Sequence, residues 1–254
     1  MIQIDEKICL KNFKDINPII LGICANDIYT GVGKFISYAA LKTGAQKVIL
    51  MSPDRVSRSV LNNLNNVKVT DVEFNVKILQ DITCCVVGPG LGRINNSYLD
   101  IIIKIVNYLD VKGVYTVLDA DILHFYKHNY FQYNRFIILT PNCHERIGLN
   151  VINKNHIVIY KGKIDKIAYK NEFYQINHEE TIKTKRCGGQ GDVLTGILAT
   201  TLSFNSENPV FSCIFALQEI RRATSVIFKT SKLTMVSSDI LTELKSINNI
   251  KDNK

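Results

Sequence analysis

The sequence has little of several features that mark particular classes of protein. It contains five prolines in 254 residues and has no Gly/Ser-rich linker and no internal repeat, so we expect one domain spanning residues 1–254. No apolar run approaches the roughly 18 residues that a membrane-spanning helix requires. The first residues include Asp5 and Glu6, where a signal or transit peptide would carry bases. These absences predict a cytoplasmic protein with no membrane partner.

Cysteines are present, but not in the patterns that bind zinc or form a disulfide framework. Their number, seven, is odd, none of them forms a C-x-x-C pair, and Cys84 and Cys85 lie inside an apolar run. This usage is typical of reduced, mostly buried thiols in a cytosolic protein.

Positive charge is in excess, but it is not organised as in nucleic-acid-binding proteins. The chain has 31 Lys and Arg against 23 Asp and Glu, which gives a net charge of +8. No run of five or more basic residues occurs and aromatic residues are not interleaved with bases, so we expect no nucleic-acid partner. The excess is typical either of a lysine-rich solvated surface or of attraction toward small phosphate-bearing ligands.

Short apolar runs alternate with helix-length segments along the chain. The runs are almost continuously apolar, as in strands that are covered on both faces. Their alternation predicts right-handed crossovers and a three-layer α/β/α fold with a mostly parallel sheet. The predicted strands are residues 17–23, 47–51, 84–87, 115–118, 136–139 and 156–160. The predicted helices are residues 30–43, 53–64, 97–109, 192–202 and 209–229.

A glycine-rich segment follows one of the predicted strands. Ligands of such sheets bind beyond the carboxyl ends of the strands, and residues 88–93 (Gly-Pro-Gly-Leu-Gly-Arg) follow the strand 84–87. The glycines let the backbone approach a ligand, and Arg93 offers a guanidinium to a phosphate. The segment is not a dinucleotide fingerprint, because Arg93 stands where that motif requires glycine. A ligand-binding loop and a tight turn without a ligand both fit.

Polar residues follow the next two predicted strands. Asp119 and Asp121 come directly after the strand 115–118, where they are suited to hold Mg²⁺, directly or through water; Asp121 is equally suited to cap the next helix. Pro141 ends the strand 136–139, and the polar residues after it would face the same cleft. Among them, His144 fits a ligand or a base, although a lone histidine in a turn is more often a solvated residue.

The segment from Cys187 to Gly196 carries the most specific pattern. Three glycines and Asp192 open an apolar helix, so successive backbone amides and the helix dipole form a cradle for an anion. An acid beside a phosphate is electrostatically costly unless it acts, and helix capping by Asp192 would not explain the three glycines. The segment therefore predicts phosphoryl transfer, with Asp192 as the base that takes a proton from a hydroxyl.

These motifs together resemble the eukaryotic ATP-dependent NAD(P)H-hydrate dehydratases, which belong to the ribokinase-like superfamily. The resemblance runs from about Asn17 to Ile247, and the string Cys-Gly-Gly-Gln-Gly-Asp at 187–192 is specific to that branch. The matching pieces are, in chain order, Tyr29-Thr30-Gly31, residues 40–45, residues 88–93, Asp119-Ala120-Asp121, residues 139–142 with Glu145, Lys161-Gly162 with Asp165, residues 186–192 and Ser237-Ser238-Asp239.

The resemblance implies a repair reaction on hydrated nicotinamide nucleotides. ATP, with Mg²⁺ bridging its phosphates, would phosphorylate the ring hydroxyl of (S)-NADHX or (S)-NADPHX, and loss of phosphate would restore NADH or NADPH and leave ADP. Asp192 would be the catalytic base. The substrate-binding residues implied are Gly90, Asn142, Cys143, His144, Glu145, Arg146, Ile147, Gly148 and Asp192. The ATP-binding residues implied are Lys161, Gly162, Lys163, Ile164, Asp165, Arg186, Cys187, Gly188, Gly189, Gln190 and Gly191.

Two departures from the family pattern fall on the substrate side. Arg146 and Gly148 stand where the family has Phe and Arg, and Cys24-Ala25 stands where it has Gly-Gly. A small-molecule kinase of the same fold and a non-catalytic nucleotide-binding relative remain as alternatives. The number of substrate-side motifs favours a large ligand over the first, and the intact Asp192 argues against the second. A homo-oligomer stays open.

Overall fold

The computed structural model describes residues 1–4, 16–53, 58, 66–176 and 186–246. Ten strands in this part of the chain form a single sheet. In chain order they are β1 (Ile2–Ile4), β2 (Ile19–Ile23), β3 (Lys47–Met51), β4 (Val67–Thr70), β5 (Cys84–Val87), β6 (Tyr115–Leu118), β7 (Ile137–Leu139), β8 (Ile157–Tyr160), β9 (Asp165–Tyr169) and β10 (Glu172–Ile176).

The strand order explains where a ligand can bind. The sheet runs β1-β10-β9-β8-β7-β6-β5-β2-β3-β4. Among the described strands β9 alone is reversed, since it pairs antiparallel with both β8 and β10. The chain builds outward from β2 through β3 and β4, and then returns to the other side of β2 with β5. Parallel sheets bind ligands at such switch points, beyond the carboxyl ends of the strands.

Helices cover both faces of the sheet. Alternate residues of the strands face opposite layers, as Val86 packs in one apolar cluster and Val87 in the other. The described helices are α1 (Val32–Thr43), α2 (Val76–Leu79), α3 (Asn96–Val111), α4 (Ile122–Lys127), α5 (Gln190–Phe204), α6 (Pro209–Ser231) and α7 (Ser237–Glu243). The first cluster contains residues of α1, α5, α6 and α7, and the second contains residues of α2, α3 and α4.

This architecture confirms the predicted three-layer α/β/α fold. All six predicted strands are present, although three of them begin one or two residues later than expected. The predicted helix 53–64 lies mostly outside the described residues, and the other four predicted helices are present. β1, β4, β9 and β10 were not predicted, because they carry exposed or half-buried polar residues and lack a continuous apolar run.

The position of α5 is set by its close crossing with α1. Every residue of α5 from Val193 onward is buried, so the helix is enclosed on all sides. At Gly196 an added Cβ would lie 2.4 Å from the carbonyl oxygen of Ile36 and 2.8 Å from the Cβ of Ala39. A side chain there would push the two helices apart, so glycine brings α5 against α1 and fixes the place where α5 begins.

Two predictions from composition can be compared with the structure. Six of the seven cysteines lie in the described part, all six are free thiols and four of them are buried, as expected; Cys9 lies outside it. Within the same residues, no helix has the length and apolar character needed to cross a membrane.

Candidate active site

A cavity of about 680 Å³ opens beyond the carboxyl ends of β6, β7 and β8, beside the start of α5. Eight of the eleven residues predicted to bind ATP line it; Ile164, Gly188 and Gly189 are chain neighbours of those eight. Asn142 and Glu145 of the predicted substrate segment line it as well. The cavity is lined by Asp119, Ala120, Asn142, Glu145, Lys161, Gly162, Lys163, Asp165, Arg186, Cys187, Gln190, Gly191, Leu194, Leu217, Ile220 and Arg221.

Lys161 forms the central ion pair of this cavity. It follows β8, and its Nζ lies 2.9 Å from Oδ1 of the buried Asp119, which follows β6. The same oxygen accepts a hydrogen bond of 2.6 Å from Oγ1 of Thr140, which follows β7. An ideal Cβ on Gly191 would lie 3.8 Å from both Lys161 Nζ and Asp119 Oδ2. The ion pair is therefore in contact with the first turn of α5.

Asp192 lies in that first turn, half-buried and next to the ion pair. Burial, and then the carboxylate of Asp119, raise its pKa to about 7, while Lys161 acts in the opposite direction. Asp192 also interacts electrostatically with Cys24, the residue after β2; burial and then Asp192 raise the pKa of its thiol. Asp192 is not among the residues that line the cavity, but its electrostatic interactions with Asp119 and Lys161 bring it close to that lining, and its pKa is suited to a general base near neutral pH.

The glycine loop before α5 is held in place by contacts with α1 and α7. Gly189 has a left-handed φ of 87°, and an added Cβ would lie 2.8 Å from the ring of Phe35 on α1, so only glycine fits. The carbonyl of Gly188 accepts a hydrogen bond of 2.6 Å from Oγ of the buried Ser237, at the start of α7. Ser237 Oγ is also 3.2 Å from Sγ of Cys187. This fixed loop leads into a helix N-terminus, which is suited to bind a phosphate.

The start of the predicted substrate segment, residues 142–148, is a tight turn closed by reciprocal hydrogen bonds. Oδ1 of Asn142 accepts from the backbone N–H groups of His144 (2.9 Å) and Glu145 (3.0 Å), and Oε2 of Glu145 accepts from the N–H of Asn142 (2.8 Å). Burial raises the pKa of Glu145, against the effect of the Asn142 hydrogen bond. Cys143, His144, Ile147 and Gly148 are exposed, so Asn142 and Glu145 are the members of this segment that reach the cavity.

Arg146 links this segment to the ATP side of the cavity. Its guanidinium lies 5.0 Å from the centre of the Tyr160 ring and donates a hydrogen bond to the carbonyl oxygen of Lys161. Its Nε is buried and has no hydrogen-bond partner among the described residues. The structure therefore connects two segments that the sequence assigns to different ligands.

The loop of residues 88–93 lies on the β2 and β5 side of the site. The backbone N–H of Gly92 donates a hydrogen bond of 2.7 Å to Oδ2 of Asp121, which makes no side-chain capping bond to α4. Asp121 therefore ties this loop to the end of β6. At Gly90 an added Cβ would lie 2.9 Å from Val32 and 3.0 Å from Tyr29, so the loop packs closely on the start of α1.

Sequence reasoning missed the contribution of α6. Leu217, Ile220 and Arg221 line the cavity from one face of this helix, at i, i+3 and i+4 spacing. Arg221 contacts the predicted ATP-binding residues Asp165 and Gly162 directly. The available signal was the adjacent pair Arg221-Arg222 in the middle of a mostly apolar helix, but the sequence alone does not give the partner of either arginine.

Sequence comparisons match nearly the whole chain. A family model described as NAD(P)H-hydrate dehydratase matches residues 19–246. The chain is 27% identical over 251 residues to the ATP-dependent (S)-NAD(P)H-hydrate dehydratase of Entamoeba histolytica, covering 86% of this chain and 82% of the relative. It is 29% identical over 252 residues to the enzyme of the same name from Drosophila pseudoobscura, covering 86% and 81%.

Solved structures give the fold. A hypothetical protein from Streptococcus mutans has a TM-score of 0.78 at 16% identity, covering 96% of this chain and 93% of its own. A ribokinase-like superfamily protein from Enterococcus faecalis has a TM-score of 0.75 at 19% identity, with coverage of 95% and 89%. The ADP/ATP-dependent NAD(P)H-hydrate dehydratase of Bacillus subtilis, crystallised with ATP and Mg²⁺, has a TM-score of 0.67 at 15% identity, with coverage of 95% and 91%. The fold is ribokinase-like.

Proposed function

The chain belongs to the NAD(P)H-hydrate dehydratase family, and from this premise we propose that it is an enzyme that uses ATP to convert (S)-NADHX and (S)-NADPHX back to NADH and NADPH. The observation that carries the proposal is the position of Asp192. Its carboxyl, with a pKa raised to about 7, lies at the start of α5 beside the Lys161–Asp119 ion pair. A base, a cation and a helix N-terminus together suit phosphoryl transfer to an alcohol.

The reaction solves the problem of a poor leaving group. The hydrated nicotinamide ring carries a hydroxyl, which leaves poorly as hydroxide. Transfer of the terminal phosphoryl group of ATP to this oxygen releases ADP and one proton. The C–O bond of this phosphate ester then breaks, phosphate leaves with the electron pair of that bond, and loss of a proton from the neighbouring carbon forms the double bond of the dihydronicotinamide.

In the first step, Asp192 would remove a proton and Lys161 would stabilise negative charge. The ionised Asp192 takes the proton from the ring hydroxyl as the oxygen attacks the phosphorus. Lys161 and the backbone amides of the α5 start face the charge that develops on the transferring phosphoryl group, and their fixed positions avoid reorganisation during the reaction. The ion pair with Asp119 and its hydrogen bond to Thr140 hold Lys161 in that place.

The two ligands would enter from opposite sides of Asp192. ATP would occupy the cavity along the turn of residues 161–165 and the glycine loop, with the apolar side chains Leu194, Leu217 and Ile220 available to its base. The dinucleotide would lie toward Gly90 and residues 142–148, of which Asn142 and Glu145 reach the cavity. Cys24, close to Asp192 at the end of β2, supports placement of the nicotinamide end on that side.

A magnesium ion fits this site as an ion carried on the ATP phosphates. In the part of the chain that the structure describes, no group of three or more His, Cys, Asp or Glu residues could hold a metal. Mg²⁺ bound to nucleotide phosphates needs only one or two carboxylates, because waters complete its shell. Asp119 and Glu145, which line the cavity, would hold it, and it would neutralise charge on the phosphates. Asp121, the other predicted ligand, does not line the cavity, and its Oδ2 accepts the hydrogen bond from Gly92.

A single domain and a cytoplasmic location complete the proposal. The continuous sheet of ten strands supports the first. The six free cysteines of the described part support a reducing compartment.

The direct test mixes the purified protein with ATP, Mg²⁺ and NADHX and follows the return of the near-ultraviolet absorbance of reduced nicotinamide. We expect absorbance to return only when ATP is present, with one ADP and one phosphate formed for each NADH. Samples without ATP or without protein are the controls. If no absorbance returns while ATP is consumed on a small alcohol, the protein is a small-molecule kinase. If neither reaction occurs, it is a non-catalytic relative.

A further inference from the structure

Two adjacent arginines on α6 make ion pairs of nearly the same geometry in different surroundings. Arg221 donates from Nε and a terminal nitrogen to the two oxygens of Asp165, at 2.8 and 2.7 Å. Arg222 makes the same two-point contact with Glu219, at 2.8 and 2.7 Å. Both carboxylates are buried. The chain thus contains a natural pair of matched sites, of which only the Arg221 pair lines the cavity.

Arg221, on α6, binds the turn of residues 161–165 at Gly162 and Asp165. The nitrogen that binds Asp165 Oδ1 also lies 2.7 Å from the carbonyl oxygen of Gly162. The same carboxylate oxygen accepts a hydrogen bond of 3.0 Å from the N–H of Gly162. The Arg221–Asp165 ion pair therefore binds both the N–H and the carbonyl group of Gly162, the residue that follows Lys161.

Arg222 makes its contacts at the junction of α6 and the end of the described chain. It donates a hydrogen bond to the carbonyl oxygen of Glu243 in α7, and its partner Glu219 accepts one of 2.9 Å from the N–H of Lys245. Since neither Arg222 nor Glu219 lines the cavity, this pair fastens α7 to α6 without touching the nucleotide site.

We propose that Arg221 is a positioning residue for ATP, which holds the turn of residues 161–165 against α6 so that Lys161 and the Gly162 backbone meet the nucleotide already in place. The charge of Arg221 is balanced by the fully buried Asp165, so it acts through the turn and not as a free cation for phosphate. The assignment deepens the proposed function, since it takes the ligand of this cavity to be ATP. It also explains why Asp165, which has no exposed surface, belongs to an ATP-binding motif.

The test measures the Kd of ATP with Mg²⁺ by calorimetry, without NADHX, for Arg221→Lys and Arg221→Met and for the matched variants Arg222→Lys and Arg222→Met. We expect Arg221→Met to raise the Kd at least about tenfold, the effect of losing charged hydrogen bonds that preorganise a site. Arg221→Lys should fall in between, because an ammonium lacks the planar fork that reaches Asp165 and Gly162 together. Both Arg222 variants should keep the Kd within about twofold while losing thermal stability.

Steady-state kinetics separate positioning from a general loss of structure. In Arg221→Lys we expect a higher KM for ATP, with the KM for NADHX and kcat at saturating ATP close to those of the wild type. The inference is wrong if Arg221 and Arg222 variants weaken ATP equally, or if Arg221→Lys raises both KM values by the same factor. If Arg221→Met does not fold, the Kd of ATP and the two KM values are measured for Arg221→Lys and Asp165→Asn, and these values decide between the outcomes. A wild type that binds ATP without restoring NADH would refute the proposed function, while the ratio of ATP affinities would still decide the role of Arg221.

Discussion

Asp119 and Asp192 lie near the same lysine, yet their carboxyl groups have different surroundings. Asp119 is fixed by the Lys161 ammonium at 2.9 Å and by the Thr140 hydroxyl at 2.6 Å. Burial, and then the Asp119 carboxylate, raise the pKa of Asp192, and Lys161 lowers it only to a smaller extent. The raised pKa of Asp192 is the property that a general base working near neutral pH requires.

The first prediction concerns Asp192 and pH. Because catalysis needs its ionised form, kcat/KM for NADHX at saturating ATP should rise about tenfold per pH unit on the acid side and level off above a pH of about 7. Asp192→Asn should lower kcat by at least about 10²-fold and leave the Kd of ATP near the wild-type value. Activity retained in the variant, or a flat profile across pH 7, would remove Asp192 as the base.

The same pKa shift has a consequence for stability. A carboxyl whose pKa is raised by folding favours the protonated form, so the folded state loses stability as the pH rises from about 4 to about 7. Above that range, where the wild type must keep a poorly solvated carboxylate, Asp192→Asn should be at least as stable as the wild type. Urea denaturation at pH 8 measures this difference.

At the residue scale, part of the cavity lining was predictable because its residues are contiguous in sequence. The string 187–192 contains the glycine loop, the helix start and the proposed base together, and its spacing alone places Asp192 in the first turn of α5. The role of Asp165 was not predictable, since its partner Arg221 is 56 residues away and depends on which face of α6 turns inward. For the same reason the contact of Arg146 with the Lys161 carbonyl was beyond sequence reasoning.

At the scale of helices and strands, the α1–α5 crossing determines where the first turn of α5, with Asp192, lies. We predict that Gly196→Ala destabilises the protein by about 1–3 kcal/mol, because the new methyl group would lie 2.4 Å from the Ile36 carbonyl oxygen. The measurement is the free energy of unfolding in urea.

Gly31→Ala is the matched control for that helix pair. Gly31 precedes α1 with a φ of −71°, and an added Cβ would have no neighbour within 4 Å. Its unfolding free energy should therefore stay within about 0.5 kcal/mol of the wild type. Equal effects of the two substitutions would show that close packing at Gly196 does not set the crossing.

The strands show which elements sequence patterns can and cannot reveal. β5 and β6 are buried on both faces, and their continuous apolar runs gave the correct bounds. In β10 the first two residues are exposed, so its pattern does not stand out from loop sequence. The reversal of β9 was also hidden, because the direction of a strand depends on the turn before it.

For the whole molecule, the relevant property is a net charge of +8 against two polyanionic ligands. We predict that the KM values for ATP and for NADPHX rise roughly tenfold between ionic strengths of about 0.01 M and 0.15 M, as screening shortens from about 30 Å to about 8 Å. Steady-state kinetics in KCl measure this change, and kcat should stay constant. Sucrose at matched osmotic strength is the control, and KM values unaffected by KCl would mean that the excess charge is only a solvated surface.

The reversed strand β9 has one more consequence. A parallel connection would have needed a crossover segment, usually a helix, to return the chain to the opposite end of the strands, whereas the turn of residues 161–165 leads directly into the antiparallel neighbour β9. Lys161 and Asp165 therefore share one hairpin bend, anchored at its first residue to β6 and at its last to α6. Because the bend is short, we expect that adding even one residue to it would disturb the Lys161 ion pair and the contact of Asp165 with α6 at the same time.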